Sequence, residues 1–141
     1  MKTESFDFLH EDAAFIREKV FREEQGFVNE FDDKDADAIH LVMYFDDGSP
    51  AAVCRILNGD TAGCFILGRF AVLKEYRGRH LGALLITEAE KEIKRRGGTN
   101  VMLHAQTRAM EFYRKSGYIP YGEIEDDEGC PHIKMKKSLL P

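Results

Sequence analysis

Phe70-Ala-Val-Leu-Lys-Glu-Tyr-Arg-Gly-Arg-His-Leu-Gly82 is the stretch of this sequence whose residue types and spacing could do chemistry. An apolar run ends at Val72, a short loop carries Arg77, Gly78 and Arg79, and an amphipathic segment begins directly after it. Amides at the start of a helix have no intrahelical acceptor; they point outward and, with the aligned dipole, form an anion site. Gly78 allows close backbone approach, and Gly82 packs tightly within the first turn. Arg77 and Arg79 can add charge-assisted contacts to phosphate oxygens. An ordinary strand–helix corner with solvent-facing arginines is the bland alternative, but strand, turn, glycines and helix in register favour phosphate capture. The spacing is neither GxxxxGK[ST] nor GxGxxG in a parallel strand–helix–strand unit, which sets aside a nucleotide-hydrolysing P-loop and a dinucleotide fold.

Such a loop needs a strand before it and a helix after it. Cys64–Val72 is nearly continuously apolar and reads as a central strand buried on both faces, with Gly68 marking a bulge. Residues 80–96 form the clearest helix. Leu81, Leu84, Leu85, Ala89 and Ile93 line one face, Lys94-Arg95-Arg96 suit the C-terminal dipole, and Gly97-Gly98 stop it. Upstream, the pattern predicts a strand over 3–9, a helix over 11–24 stopped by Gly26, and an acidic loop over 29–37. A hairpin of strands 39–45 and 51–57 then turns at Asp46-Asp47-Gly48-Ser49. Downstream come a strand over 100–105, a helix over 108–115 stopped by Ser116-Gly117, and a strand from Tyr118. An acidic turn over 125–129 leads to a last strand over 132–137. This order predicts an α+β fold in one domain, residues 1–141, with a mixed, mostly antiparallel sheet flanked by helices.

Composition narrows the function. With 141 residues, 43% apolar and 32% charged, the chain is neither disordered nor collagen-like. No apolar run approaches the roughly 20 residues of a membrane helix, and the N-terminus turns acidic without an apolar core. The expected setting is therefore cytoplasmic, away from membranes. Cys54, Cys64 and Cys130 are an odd number without CxxC spacing, and the five histidines lack metal-ligand spacing, so neither a disulfide framework nor a metal site is expected. Net charge of −5 disfavours nucleic acid as a partner. The charge is uneven: residues 1–70 carry 7 basic and 15 acidic side chains, net −8, and residues 71–141 carry 13 and 10, net +3. No GxSxG, Cys-His or S-xx-K arrangement offers a covalent nucleophile.

The loop AVLKEYRGRHLG resembles the coenzyme A signature [Q/R]xxGx[G/A] of the GNAT superfamily of N-acetyltransferases, with Arg77 first, Gly82 last, and His80 where the family usually has glycine. Gln106-Thr-Arg-Ala109-Met-Glu-Phe-Tyr113-Arg-Lys-Ser-Gly117-Tyr118 is similar to the family's N-xx-A-xx-[LF]-Y-xxx-G-[FY] segment, with Gln106 replacing asparagine. VFREEQGF (20–27) and EGCPHIKM (128–135) resemble its ElaA/YjcF-like subgroup, so the resemblance covers nearly the whole chain.

That resemblance implies the acyl-coenzyme A N-acyltransferase fold, with Cys64–Val72 splayed from the strand over 100–105 and pantetheine in the gap. It implies acetyl-coenzyme A as co-substrate. Main-chain contacts would come from Phe70, Ala71 and Val72, the pyrophosphate cradle from Arg77, Gly78, Arg79, His80, Leu81, Gly82 and Ala83, and further contacts from Gln106, Ala109 and Phe112. Tyr113 matches the tyrosine that serves many relatives as general acid. The implied reaction passes the acetyl group to a primary amine, on a small molecule or a protein, by direct attack in a ternary complex. The base stays open among Glu24, His40, His104, His132 and a water chain. The acidic loop, with Glu23, Glu24, Glu30, Asp32, Asp33, Asp35 and Asp37, falls where the fold usually lines the acceptor site; it is either solvated or attracts a cationic amine. A non-catalytic acyl-coenzyme A-binding module is the rival reading. A homoserine-lactone synthase-like enzyme fits less well, because the chain is short and the loop differs. Monomer and homodimer both remain open.

Overall fold

The computed structural model describes residues 1–141. Its strands are β1 (Lys2–Phe6), β2 (Ile39–Tyr44), β3 (Pro50–Asn58), β4 (Cys64–Val72), β5 (Asn100–Gln106), β6 (Ile119–Asp127) and β7 (Cys130–Ser138). Its α-helices are α1 (Glu11–Arg17), α2 (Leu81–Arg95) and α3 (Met110–Lys115). The strands form one sheet in the order β1-β2-β3-β4-β5-β7-β6. Every neighbouring pair is antiparallel except β4 and β5, which run parallel. No helix is long and apolar enough to cross a membrane.

Side chains alternate across a strand, and that alternation divides the core. Leu41, Met43, Cys54, Ile56 and Leu67 pack in one cluster with Leu81, Leu85, Ile86, Ala89 and Ile93 of α2 and with Tyr113 of α3. The intervening Val42, Tyr44, Val53 and Ala71 pack in a second with Ala13 and Ile16 of α1 and with Val20 and Phe21 beyond it. Thus α1 covers one face of the sheet while α2 and α3 cover the other. Each buried aliphatic side chain contributes about 1.5–3 kcal/mol.

Local signals explain where most elements start and stop. His10 caps α1 by accepting the Asp12 amide proton at Nδ1, 3.0 Å away. The helix expected over 11–24 changes pitch midway: Glu18–Glu24 winds as a π-helix, and the Gln25 amide reaches back five residues to the Val20 carbonyl at 3.1 Å. At the end of α2, Gly98 and Gly97 donate to the Ile93 and Lys94 carbonyls, closing the helix as the glycine pair predicts. Leu84, expected on the buried face, is 50% exposed; Ile86 takes that place. The first strand ends at Phe6, and β6 runs on to Asp127, which shortens the expected acidic turn to Glu128 and Gly129. Both turn residues have positive φ, 51° and 81°, the geometry that matches strand twist in a two-residue hairpin.

The feature that shapes the molecule lies in β4. Pairing with β5 joins Cys64–Leu67 to Asn100–Leu103 and then stops. Against β3, Gly68 opposes Arg55 but Ala71 already opposes Val53, so Arg69 and Phe70 together face Cys54 alone. This is a bulge, and Arg69 sits within it at φ 48°. Beyond it β4 leans away from β5, which continues beside β7 to Gln106. The reading of β4 as buried on both faces is therefore corrected: only Leu67 and Ala71 are buried, because the strand's far half borders an opening.

An ion network holds the bulge. Arg17 is fully buried; its guanidinium donates to Glu30 Oε2 and Asp35 Oδ1, both at 2.8 Å, and to the Glu30 carbonyl at 3.0 Å. Arg55 donates to Asp32 at 2.7 Å and Asp35 at 3.0 Å. Arg69 donates to the Glu30 carbonyl at 3.1 Å and to Asp32 at 3.3 Å. The loop expected to be solvated is in fact clamped, with Glu30 and Asp35 buried, because these guanidinium groups neutralise it. Burial alone would raise the Asp35 carboxyl, yet bonds from Arg17 and Arg55 hold it near a pKa of about 2 against an ordinary 3.8. A depressed carboxylate contributes stability above its unfolded value and loses it as pH falls through the folded one. Asp35→Asn should therefore cost about 3–5 kcal/mol at pH 7. In urea melts at a series of pH values, that penalty should shrink between pH 3.8 and about 2; a penalty constant over that window would contradict the assignment.

Candidate active site

Where β4 parts from β5, a cleft of about 780 Å³ opens between the two strands and the fronts of α2 and α3. Phe70, Ala71, Val72, Arg77, Gly78, His80, Leu81, Gly82, Ala83, Gln106, Ala109, Phe112 and Tyr113 all line it. Of the residues expected to contact a cofactor, Arg79 alone lies off the cleft, its guanidinium carbon 5.7 Å from the centre of the Tyr76 ring.

The narrow end is built from backbone. The amides of Gly78, Arg79, His80, Leu81, Gly82 and Ala83 donate to no protein group; the first bond of the helix runs from the Leu84 amide to the His80 carbonyl at 3.3 Å. Two left-handed residues make this possible: Gly78 at φ 82° and His80 at φ 60°. Gly82 serves packing, since a Cβ there would lie 2.8 Å from Phe112 Cζ. Donors converging at the positive end of a fifteen-residue helix suit an anion such as a pyrophosphate.

The arginine side chains beside these amides have protein partners of their own. Arg77 grips Glu24 with two parallel bonds, at 2.6 and 2.7 Å, and donates through Nε to the Val72 carbonyl at 3.0 Å. The bonds from Arg77 hold the Glu24 carboxyl below its ordinary pKa. Arg77 thus straps the end of β4 to the end of the π-helix, and the Val72 carbonyl is already taken. Gln106 is likewise engaged, donating to Gln25 and accepting from Arg108, both at 2.8 Å.

Deeper in, the cleft turns aromatic. The Phe112 and Tyr113 ring centres lie 5.1 Å apart, with Phe70 at 5.8 and 6.0 Å from them. The other buried tyrosines, Tyr44 and Tyr118, donate to Asp12 and Glu90. Tyr113, 8% exposed on the cleft wall, has no protein hydrogen-bond partner for its hydroxyl, and burial, with Cys54 nearby, pushes its pKa well above the ordinary value. A protonated phenol left free at the wall of a cleft can donate to a ligand atom. Across the sheet the cleft is bordered by Phe27, Glu30, Arg69, His104, Glu128 and His132. Burial, with Lys134 as a lesser influence, sets His104 below the ordinary imidazole value. No three His, Cys, Asp or Glu side chains are placed to hold a metal ion.

Several contributors were not foreseen from sequence. Gln25 and Phe27 reach the cleft because the π-turn redirects the chain, and Arg69 reaches it because of the bulge. Glu128 accepts the amide protons of Val28 and Asn29 at 2.9 and 3.2 Å, joining the last hairpin to the loop after α1. The acidic turn expected over 125–129 carried no sign of that contact.

The family model described as acetyltransferase (GNAT) domain matches residues 10–139. YjcF of Bacillus subtilis, an uncharacterized N-acetyltransferase, is 36% identical over 129 residues, covering 89% of this chain and 90% of that protein. Among solved structures, an acyl-CoA N-acyltransferase from Pseudomonas aeruginosa superposes with a TM-score of 0.84 at 26% identity, covering 97% of this chain and 99% of that one. ElaA of Escherichia coli gives 0.84 at 26% identity, covering 96% and 98%.

The left-handed His80 supplies a test of the loop geometry. Glycine occupies this region without strain, histidine tolerates it, and a β-branched residue does not. Stability at position 80 should rank Gly at or above His and His above Val, with about 1 kcal/mol or more between Gly and Val. Thermal denaturation of the three proteins checks the order, and a Val variant as stable as Gly would refute the conformation.

Proposed function

This chain belongs to the GNAT acetyltransferase family, in the group that includes YjcF and ElaA, and from that premise we propose that it moves the acetyl group of acetyl-coenzyme A directly to a primary amine within a ternary complex. The observation that carries the coenzyme half of this reading is the set of unpartnered amides from Gly78 to Ala83, five of whose six residues line a cleft of suitable size. They would hold the pyrophosphate through hydrogen bonds and the helix dipole, with little help from Arg77, whose charge is matched by Glu24. The pantetheine arm would lie along β4 between Gly68 and Val72, whose β5-facing edge is unpaired and offers donors and acceptors to an amide-bearing chain. The thioester would then reach the aromatic wall of Phe70, Phe112 and Tyr113.

Acetyl transfer needs a polarised carbonyl, a deprotonated amine and a proton for the departing thiolate. Tyr113 is our choice for the last role: its hydroxyl is protonated, buried and uncommitted. The acidic loop is not our choice for attracting the amine. Glu30, Asp32 and Asp35 are matched by Arg17, Arg55 and Arg69, so little net field remains there to steer a cation.

Acetyl-coenzyme A at a hundredfold excess over Kd should stabilise the fold by about 2.7 kcal/mol, and a thermal shift reads this directly. An unchanged melting temperature would remove the coenzyme from the account. Tyr113→Phe should lower kcat about a hundredfold while coenzyme affinity stays as it is, measured by thiol release and calorimetry. Full turnover by that variant would exclude Tyr113 as the acid.

A further inference from the structure

If the chain acetylates an amine, as proposed above, some group must take a proton from an alkylammonium whose pKa is ordinarily about 10.4. The structure removes most candidates. Glu24 is gripped at both oxygens by Arg77. Glu30, 3% exposed, is paired with both Arg17 and Arg69; burial raises its carboxyl above the ordinary value, but taking a proton there would break both ion pairs. His40 is fully buried, bonded to the Asp35 carbonyl at 2.9 Å, and away from the cleft wall. His104 and His132 remain, both on the cleft.

They lie on the face opposite the acid. Val101, Leu103 and Ala105 of β5 pack in the cluster that contains Tyr113, as do Ile133 and Met135 of β7. Alternation puts His104, Gln106 and His132 on the other face, and Gln106 and His132 are cross-strand partners. An amine approaching from that face meets the thioester in the gap between β4 and β5, while Tyr113 meets the sulfur from behind.

His132 is the better placed of the two. Its Nδ1 lies 2.9 Å from the Cys130 carbonyl oxygen. A carbonyl only accepts, so Nδ1 carries the hydrogen and Nε2 of the neutral ring holds a bare lone pair. The Phe27 ring packs edge-on at 6.4 Å and limits the imidazole's orientations. His104 has no such bond to fix its tautomer. Around His132 stand His104 on β5, Glu125 and Asp127 on β6, and Lys134 on its own strand. Glu128 from the turn and Glu30 with Arg69 from the far wall complete the charged groups.

We propose that His132 Nε2 is the general base, an assignment that rests on the acetyl-transfer reading. One proton of the ammonium passes to Nε2; the freed lone pair forms the N–C bond at the thioester carbonyl. The C–S bond then breaks with its electron pair going to sulfur, which takes a proton from Tyr113. The second proton lost by nitrogen restores the phenol through water, and Nε2 returns its proton to solvent.

His132→Asn keeps an N–H for the Cys130 carbonyl but lacks Nε2. Against a panel of polyamines and lysine peptides, it should lower kcat/KM at pH 7 by a hundredfold or more and abolish the acid limb of the pH profile. The deficit should shrink as pH rises toward the amine's own pKa, with coenzyme A affinity and melting temperature unchanged. A surviving acid limb with near-normal kcat/KM would overturn the proposal, and loss of the limb in His104→Asn instead would move the role there. Nitrogen-15 spectra of the wild-type protein give a readout independent of turnover: Nε2 of His132 must be the unprotonated nitrogen, and the opposite tautomer rules the base out. If coenzyme binds but no amine is acetylated by the wild-type enzyme, the transfer reading fails and the base falls with it.

Discussion

Everything in the cleft follows from one local irregularity in a strand, the two residues of β4 that face a single residue of β3. A regular parallel partner for β5 would pair along its whole length, and no gap would exist for a ligand to enter. The bulge costs a left-handed arginine at position 69, and such a conformation persists only when its surroundings impose it. Here they do, because Arg69 is bonded to the Glu30 carbonyl and the Asp32 carboxylate, and those groups are fixed in turn by Arg17 and Arg55. A buried ion network is a poor way to gain stability but an effective way to enforce one geometry among several. In this fold it holds the strand that borders the site.

The front of α2 divides labour differently from what its composition implies. Charged side chains sit beside the unpartnered amides yet are engaged elsewhere: Arg77 with Glu24 and Val72, Arg79 over Tyr76. In the proposed complex recognition would fall to backbone donors, whose positions are fixed by the helix itself and which lose no side-chain entropy on binding. The amides also sit where the dipole is strongest, which would favour a phosphate there.

Much of this was legible in the sequence. Apolar runs bounded by turn residues placed β2, β3 and β4, the period of Leu81, Leu85, Ala89 and Ile93 placed α2, and Gly97-Gly98 placed its end, because each of these depends on near neighbours in the chain. The glycine-bearing turn between β4 and α2 was legible for the same reason. What escaped were interactions between distant segments. No local pattern says that Glu30 and Asp35 will meet Arg17 and be buried, since a run of acidic residues looks the same whether solvated or paired. Nor does composition distinguish an arginine that binds phosphate from one that straps two elements together, as Arg77 does through a contact 53 residues away. The histidines were visible from the outset, but only the fold separates His40, sealed among arginines, from His132 on the open wall.

The bond from Glu128 to the amides of Val28 and Asn29 spans about a hundred residues. It has a consequence for how the molecule is made. During synthesis the segment around Phe27 emerges early, but its partner carboxylate belongs to the final hairpin. The rim of the cleft therefore cannot be completed until β6 and β7 have been made and have joined the sheet. A chain truncated before that hairpin would lose the β7 partner of β5 and the buried Met135 together with the mouth, so the last residues made supply both a flank of the core and the rim of the cleft.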